Sequence, residues 1–214
     1  SIYFFGFAIR IAAFFNSKAK LWIKGRKNIF EKLKSTIDPP SKIIWFHVAS
    51  LGEFEQGRTV IEGIRKTYLG YKILLTFFSP SGYEVRKNYA GADYIFYLPL
   101  DTSANAKKFI EIVKPQMAIF VKYEFWINFI NELHHKKIPL YSISSIFRNN
   151  QIYFKWYGSF YAQALKKISF FFVQNEKSKK LLQSIGIENA VDSGDTRFDR
   201  VTQNAASIKP IPII

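Results

Sequence analysis

Lys42 to Val48 reads KIIWFHV, and it runs without a break into Ala49-Ser50-Leu51-Gly52-Glu53. The first stretch is short, apolar, β-branched and aromatic, the composition of a strand buried on both faces. The second is a turn of small residues that feeds a helix and carries an acid near the helix start. Working outward, residues 55–68 place Val60, Ile61, Ile64 and Tyr68 at helical spacing, and residues 72–77 (KILLTF) form a second buried strand. The alternation continues with a helix over 81–89, a strand over 94–98, and a helix over 102–113 that carries Ala104, Phe109, Ile110 and Val113. It goes on through a strand at 117–121, a helix at 125–135, a strand at 139–143 and a helix at 154–165. A strand at 169–173, a helix at 177–185 and a last strand around Val191 close it. Strands separated by helices of this length imply right-handed crossovers and a parallel sheet covered on both faces, a Rossmann-like α/β/α sandwich.

In such sheets the ligand crevice lies beyond the carboxyl ends of the strands, which is where the turn bearing Glu53 falls. The glycine fingerprint of dinucleotide enzymes and the P-loop are both absent, so NAD and ATP are not expected. Glu53 has a structural reading as well, because an acid in the first turn of a helix is stabilised by the positive end of its dipole.

The chain has 214 residues, 48% of them hydrophobic, enough for one full core, placed at residues 39–201. Its formal net charge of +15 calls for an anionic partner, whether nucleic acid, anionic lipid or a phosphorylated substrate. Nucleic acid is not expected, since the aromatics lie in apolar strand and helix patterns and not on a stacking platform beside Lys and Arg. There is no cysteine, and His47, His134 and His135 lack ligand-like spacing, so no metal is expected.

Residues 1–38 form a distinct basic and aromatic segment. IYFFGFAIRIAAFF, Ile2 to Phe15, is apolar but interrupted by Arg10 and shorter than the roughly twenty residues a spanning helix needs. Lys18, Lys20, Lys24, Arg26, Lys27, Lys32 and Lys34 follow, interleaved with Leu21, Trp22, Ile23, Ile29, Phe30 and Leu33. Two readings stand: an interfacial helix on an anionic membrane, or a core-packed helix whose charged face is solvated. The 18% aromatic content favours the first. Residues 202–214, ending SIKPIPII, have the look of the start of an interdomain linker.

Five segments in order, WFHVASLGE (45–53), TFFSPSG (76–82), YLPLD (97–101), YEFWINF (123–129) and SGDTRFDRV (193–201), together with KGRKNIFEKL (24–33), carry a resemblance over nearly the whole chain. It resembles the N-terminal domain of the bacterial Kdo (3-deoxy-D-manno-octulosonic acid) transferases. The resemblance implies the N-terminal half of a GT-B glycosyltransferase, an inverting enzyme of lipopolysaccharide biosynthesis at the cytoplasmic face of the inner membrane. The lipid A precursor would bind this half. The donor CMP-Kdo would bind a C-terminal domain beyond this sequence, with no cofactor or metal, so that this chain alone is expected not to turn over. Matched by motif, Glu53 is the expected catalytic base, and Ser50, Gly52, Ser79, Ser81, Glu124 and Arg148 are expected at the acceptor site. The family's arginine-bearing stretch after the fifth strand is here SSIFRNNQ, which leaves Arg148 as its one guanidinium. Trp126 and Asn128 also match, Trp126 more as packing than as a ligand contact, while Arg197 is placed at the interdomain edge. Alternatives are another GT-B enzyme acting on a lipid or cell-wall acceptor, and a non-catalytic basic membrane-binding module.

Overall fold

The computed structural model describes residues 2–38 and 41–195. Its centre is a seven-stranded parallel sheet of β1 (Ile43–Val48), β2 (Lys72–Phe77), β3 (Tyr94–Tyr97), β4 (Met117–Val121), β5 (Leu140–Ser145), β6 (Phe170–Val173) and β7 (Ala190–Asp192). The strand order is β3-β2-β1-β4-β5-β6-β7, and every paired neighbour runs parallel. Three helices precede the sheet, α1 (Ile2–Ala12), α2 (Ser17–Arg26) and α3 (Ile29–Thr36). The connections between strands carry α4 (Leu51–Thr67), α5 (Pro80–Arg86), α6 (Ser103–Val113), α7 (Ile127–His135), α8 (Ser159–Leu165) and α9 (Glu176–Gln183). This is the Rossmann-like sandwich the sequence predicts.

All six residues of β1 are buried, and they divide between two cores by strand alternation. Ile43 and Trp45 join Leu74, Phe109, Phe120 and Phe129 on one face, while Ile44, Phe46 and Val48 join Phe54, Ile61, Leu75 and Phe77 on the other. Trp45 is the hub of the first face, with ring contacts to Phe109, Phe120 and Phe129 at 4.8, 5.0 and 5.6 Å.

Several boundaries differ from the sequence expectation. Helix α4 begins at Leu51, not residue 55, so Glu53 lies inside its first turn. Helix α7 begins at Ile127 because Asp101 takes the N–H groups of Asn128 and Phe129, while Asn128 Nδ2 donates to the Asp101 carbonyl at 2.7 Å. Burial raises the Asp101 carboxyl, and these hydrogen bonds oppose the rise. The helix expected over 154–165 is split into a 3-10 turn, Ile152–Phe154, and α8. The chain folds back there so tightly that a Cβ on Gly158 would lie 1.7 Å from the Ile152 carbonyl oxygen.

The basic N-terminal segment is three helices, and a few of its apolar residues belong to the protein core. Of the apolar residues that the sequence offers to a membrane, Ile29 and Leu33 are buried because α3 packs against α6, and Trp22 because its ring meets those of Phe5 and Phe78. Arg26 fastens α2 to the sheet edge. Its Nε donates to the Leu98 carbonyl at 2.8 Å and Nη2 to the Phe78 carbonyl at 2.7 Å, and the guanidinium lies 3.7 Å from the centre of the Trp22 ring. Phe4, Phe7, Ile11, Phe14 and Phe15 remain exposed on and just after α1. Pro39, Pro40 and the SGDTRFDRV segment beyond Asp195, including Arg197 and the expected linker, lie outside the described residues.

Asp93 ties β3 to β2. Burial opposes its charge, but the Ile73 N–H at 2.8 Å, with Lys72 and Arg65, outweighs that and holds the carboxyl below its ordinary value. A depressed folded pKa gives stability that is present above the unfolded value and lost as pH falls through the folded one. Asp93→Asn is therefore expected to destabilise by about 1 kcal/mol at neutral pH in urea titrations, with the difference beginning to shrink at about pH 4 and lost as pH falls through the depressed folded value. Trp45→Ala is expected to cost about 3–5 kcal/mol by the same measurement, through the cavity left among three phenylalanines.

Candidate functional site

The chain runs outward from β1 through β2 to β3, then returns to place β4 on the other side of β1. The connections leaving β1 and β4 thus diverge, the arrangement that in open α/β sheets makes a crevice at the carboxyl edge. Glu53 approaches it from the β1 side, and Lys122 and Glu124 from the β4 side.

Glu53 and Gly57 lie one turn apart on the same face of α4. Gly57 rests directly on β4, where a Cβ would come within 2.9 Å of Val121 Cγ2. This close approach aims Glu53 at the residue after Val121. There Lys122 Nζ stands 3.9 Å from Glu53 Oε1, with both side chains largely buried. Lys122 has a left-handed backbone, φ 65°, held by its N–H on the Ile143 carbonyl and by Ser145 Oγ on its own carbonyl. A non-glycine residue in that conformation costs roughly 1 kcal/mol or more, and such strain gathers at functional sites.

Ser50 is the N-cap of α4, yet its hydroxyl makes no cap to a backbone N–H and instead donates to the Glu53 carboxylate. The carboxylate is therefore held between a hydroxyl and an ammonium group. Gly52 is exposed, and a Cβ there would meet only Ser50 Oγ at 3.8 Å, so the protein's own packing does not demand glycine at that position. The tight approach falls on Gly82, where a Cβ would lie 2.9 Å from the Ser50 carbonyl carbon. Ser79 caps α5 by accepting the Ser81 N–H, and the two hydroxyls are 2.9 Å apart. The Ser79 N–H donates to the Ala49 carbonyl at 2.7 Å, which sets this cap beside the Glu53 turn.

Glu124 is gripped from below. Trp126 Nε1 donates to its Oε2 at 2.7 Å, and His47 Nε2 lies 3.2 Å from the same oxygen. Trp126 Nε1 is also 2.9 Å from His47 Nε2, so the single indole proton faces two acceptors unless the imidazole carries its own proton on that nitrogen. His47 is fully buried on β1, and its Nδ1 is 2.9 Å from Thr76 Oγ1. Thr76 in turn accepts from Trp45 Nε1 at 2.8 Å and donates to the Phe46 carbonyl. A continuous buried polar chain thus runs from the core residue Trp45 to the carboxylate of Glu124. The Trp126 ring lies 4.6 Å from that of Phe78, in the packing role expected of it.

Among the described residues, no hydrogen bond or ion pair joins the Arg148 guanidinium to Glu53 or Glu124. Arg148 is exposed on the loop after β5, and its N–H donates to Gln151 Oε1. Lys122 is the cation found beside the acid. Sequence reasoning missed it because a lysine ending a strand carries no pattern, and it missed His47 and Thr76 because each stands alone in an apolar run. Their one sequence signal is that both fall in the segments WFHVASLGE and TFFSPSG.

The family model described as 3-Deoxy-D-manno-octulosonic-acid transferase (kdotransferase) matches residues 24–200. The 3-deoxy-D-manno-octulosonic acid transferase of Aquifex aeolicus is 28% identical over 168 residues, 78% of this chain and 43% of that protein. That of Haemophilus influenzae is 32% identical over 102 residues, 47% of this chain and 24% of that protein. The chain thus spans less than half the length of either relative. Among solved structures, UDP-GlcNAc 2-epimerase from Neisseria meningitidis superposes with a TM-score of 0.57 at 18% identity, covering 78% of this chain and 51% of that one, a likeness of fold alone. Because the family model takes in most of the sequence, including every segment that builds the crevice between β1 and β4, the chain belongs to the 3-deoxy-D-manno-octulosonic acid transferase family.

Proposed function

We propose that this chain is the acceptor-binding half of a GT-B enzyme that transfers Kdo from CMP-Kdo to a lipid A precursor in lipopolysaccharide synthesis. The observation that carries the reading is Glu53, held between Ser50 and Lys122 at the mouth of the crevice between β1 and β4. Glu53 removes the proton from an acceptor sugar hydroxyl as that oxygen attacks the anomeric carbon of Kdo, and CMP leaves from the opposite face with inversion. The carboxylate needs the hydroxyl within hydrogen-bond reach, and Ser50 and Lys122 fix its orientation for that contact. Glu124, fixed through one oxygen by Trp126 and His47, shapes the acceptor pocket with the other. No resident cofactor or metal enters this scheme, and the donor is held by a second domain outside this sequence.

The acceptor is a phosphorylated glycolipid in an anionic membrane, and the net charge of +15 suits both features. Phe14 and Phe15, 76% and 91% exposed, with Phe4 and Phe7 give the N-terminal helices an apolar surface for the bilayer face. Among the described residues no helix is long and apolar enough to cross a membrane. Association at the cytoplasmic face of the inner membrane follows as the proposed location.

In a transfer assay with the full-length protein, CMP-Kdo and lipid A precursor, Glu53→Ala and Glu53→Gln are each expected to lower kcat by about 10²–10⁴-fold while circular dichroism stays unchanged. Wild-type turnover in the Gln variant removes Glu53 from the mechanism.

A further inference from the structure

A second hollow lies apart from Glu53. Helices α1 and α2, the start of α3 and the loop after β3 border an open cavity of about 500 Å³. The ring series Trp22, Phe78, Trp126 stands between it and Glu124. Four cations line the cavity, Arg10, Lys24, Arg26 and Lys27, against a single acid, Glu31. None of the four forms an ion pair among the described residues.

Arg26 is the telling member. Its N–H groups go to the carbonyls of Trp22, Phe78 and Leu98, and its faces to aromatic rings, so its charge is desolvated without a counter-ion. Burial pushes the guanidinium down to about 9. An anion in the cavity would offset that charge. The first turn of α3 adds to the field. Its N-cap, Asn28, makes no side-chain cap, and Ile29, Phe30 and Glu31 of that uncapped turn line the same space. The remaining wall is largely apolar, with Ile23, Pro99 and Leu100 beside Phe30. A soluble anion would leave that wall unused, whereas an amphiphile satisfies both parts.

We propose that this cavity holds the phosphate headgroup and the first chain segment of an anionic membrane phospholipid, with the phosphate facing Arg10, Lys24 and Lys27. The assignment rests on the membrane part of the reading above and needs nothing of the transfer chemistry. It makes the cavity a specific lipid seat beneath α1, distinct from the general attraction of a basic surface.

The test is flotation of the full chain with phosphatidylcholine vesicles, with and without phosphatidylglycerol, together with calorimetric titration of dihexanoyl phosphatidylglycerol below its micelle concentration. Lys24→Glu/Lys27→Glu is expected to lower partition onto phosphatidylglycerol vesicles about tenfold or more and to abolish saturable binding of the short-chain lipid. Lys179→Glu/Lys180→Glu on α9 makes the same charge change away from the cavity and is expected to keep the saturable binding; circular dichroism checks the folding of both variants. Equal losses in the two double variants, or no saturable binding by wild type that floats with the vesicles, overturn the cavity assignment alone. Displacement of the short-chain lipid by inorganic phosphate at equal concentration overturns the lipid and leaves a free-phosphate site. A wild type that ignores the vesicles altogether overturns the membrane reading as well, while the Glu53 variants still decide the transfer reaction.

Discussion

The crevice depends on one steric contact, that of Gly57 with Val121. A Cβ at residue 57 would lie 2.9 Å from Val121 Cγ2, so that either Val121 or α4, with the acid one turn earlier, would have to shift. Because β1 is buried on both faces and paired on both edges, the turn that launches α4 has little freedom of its own. Position and direction of Glu53 are thus set by backbone packing, and its two polar neighbours only complete the orientation. That arrangement suits a base, which must be held still while a substrate comes to it.

Glu124 is held by a different device. Its support descends through His47 and Thr76 to Trp45, the residue around which three phenylalanines of the core are arranged. Buried polar groups are tolerable only when bonded, and here each bonded neighbour also fixes a rotamer. The hydrophobic core and the site are therefore mechanically one unit on this face of the sheet. On the other side of the Phe78 ring, Arg26 does comparable work for the N-terminal helices by bonding to carbonyls at the ends of β2 and β3. A segment that composition alone offers to a membrane is in this way divided between protein core and exposed surface.

The parallel sheet was legible because amphipathic helices leave a 3.6-residue period between short apolar runs, and KIIWFHV, KILLTF and MAIFV are too short and too rich in β-branched and aromatic residues for buried helices. Helix ends were less legible. The start of α7 depends on Asp101, some 26 positions earlier in the chain, and the break before α8 depends on a backbone contact across a tight turn. Neither leaves a local signal. The acids of the site could be named from their motifs, since Ser50 and Glu53 are three residues apart and meet through local helix geometry. Lys122 could not, because its meeting with Glu53 is a matter of which strand lies beside β1.

The amino-acid sequence by itself determined the α/β class, the strand that carries the turn, the family, and the two carboxylates worth naming, since these follow from short-range pattern and local motif. Only the tertiary structure decided that Lys122 is the cation at Glu53, that His47 and Thr76 stand under Glu124, and that Trp22, Ile29 and Leu33 are buried in the protein. The physical reason is the reversal of strand order at β1. It sets β4 against β1 although some seventy residues separate them, and no periodicity within either strand encodes that choice of neighbour.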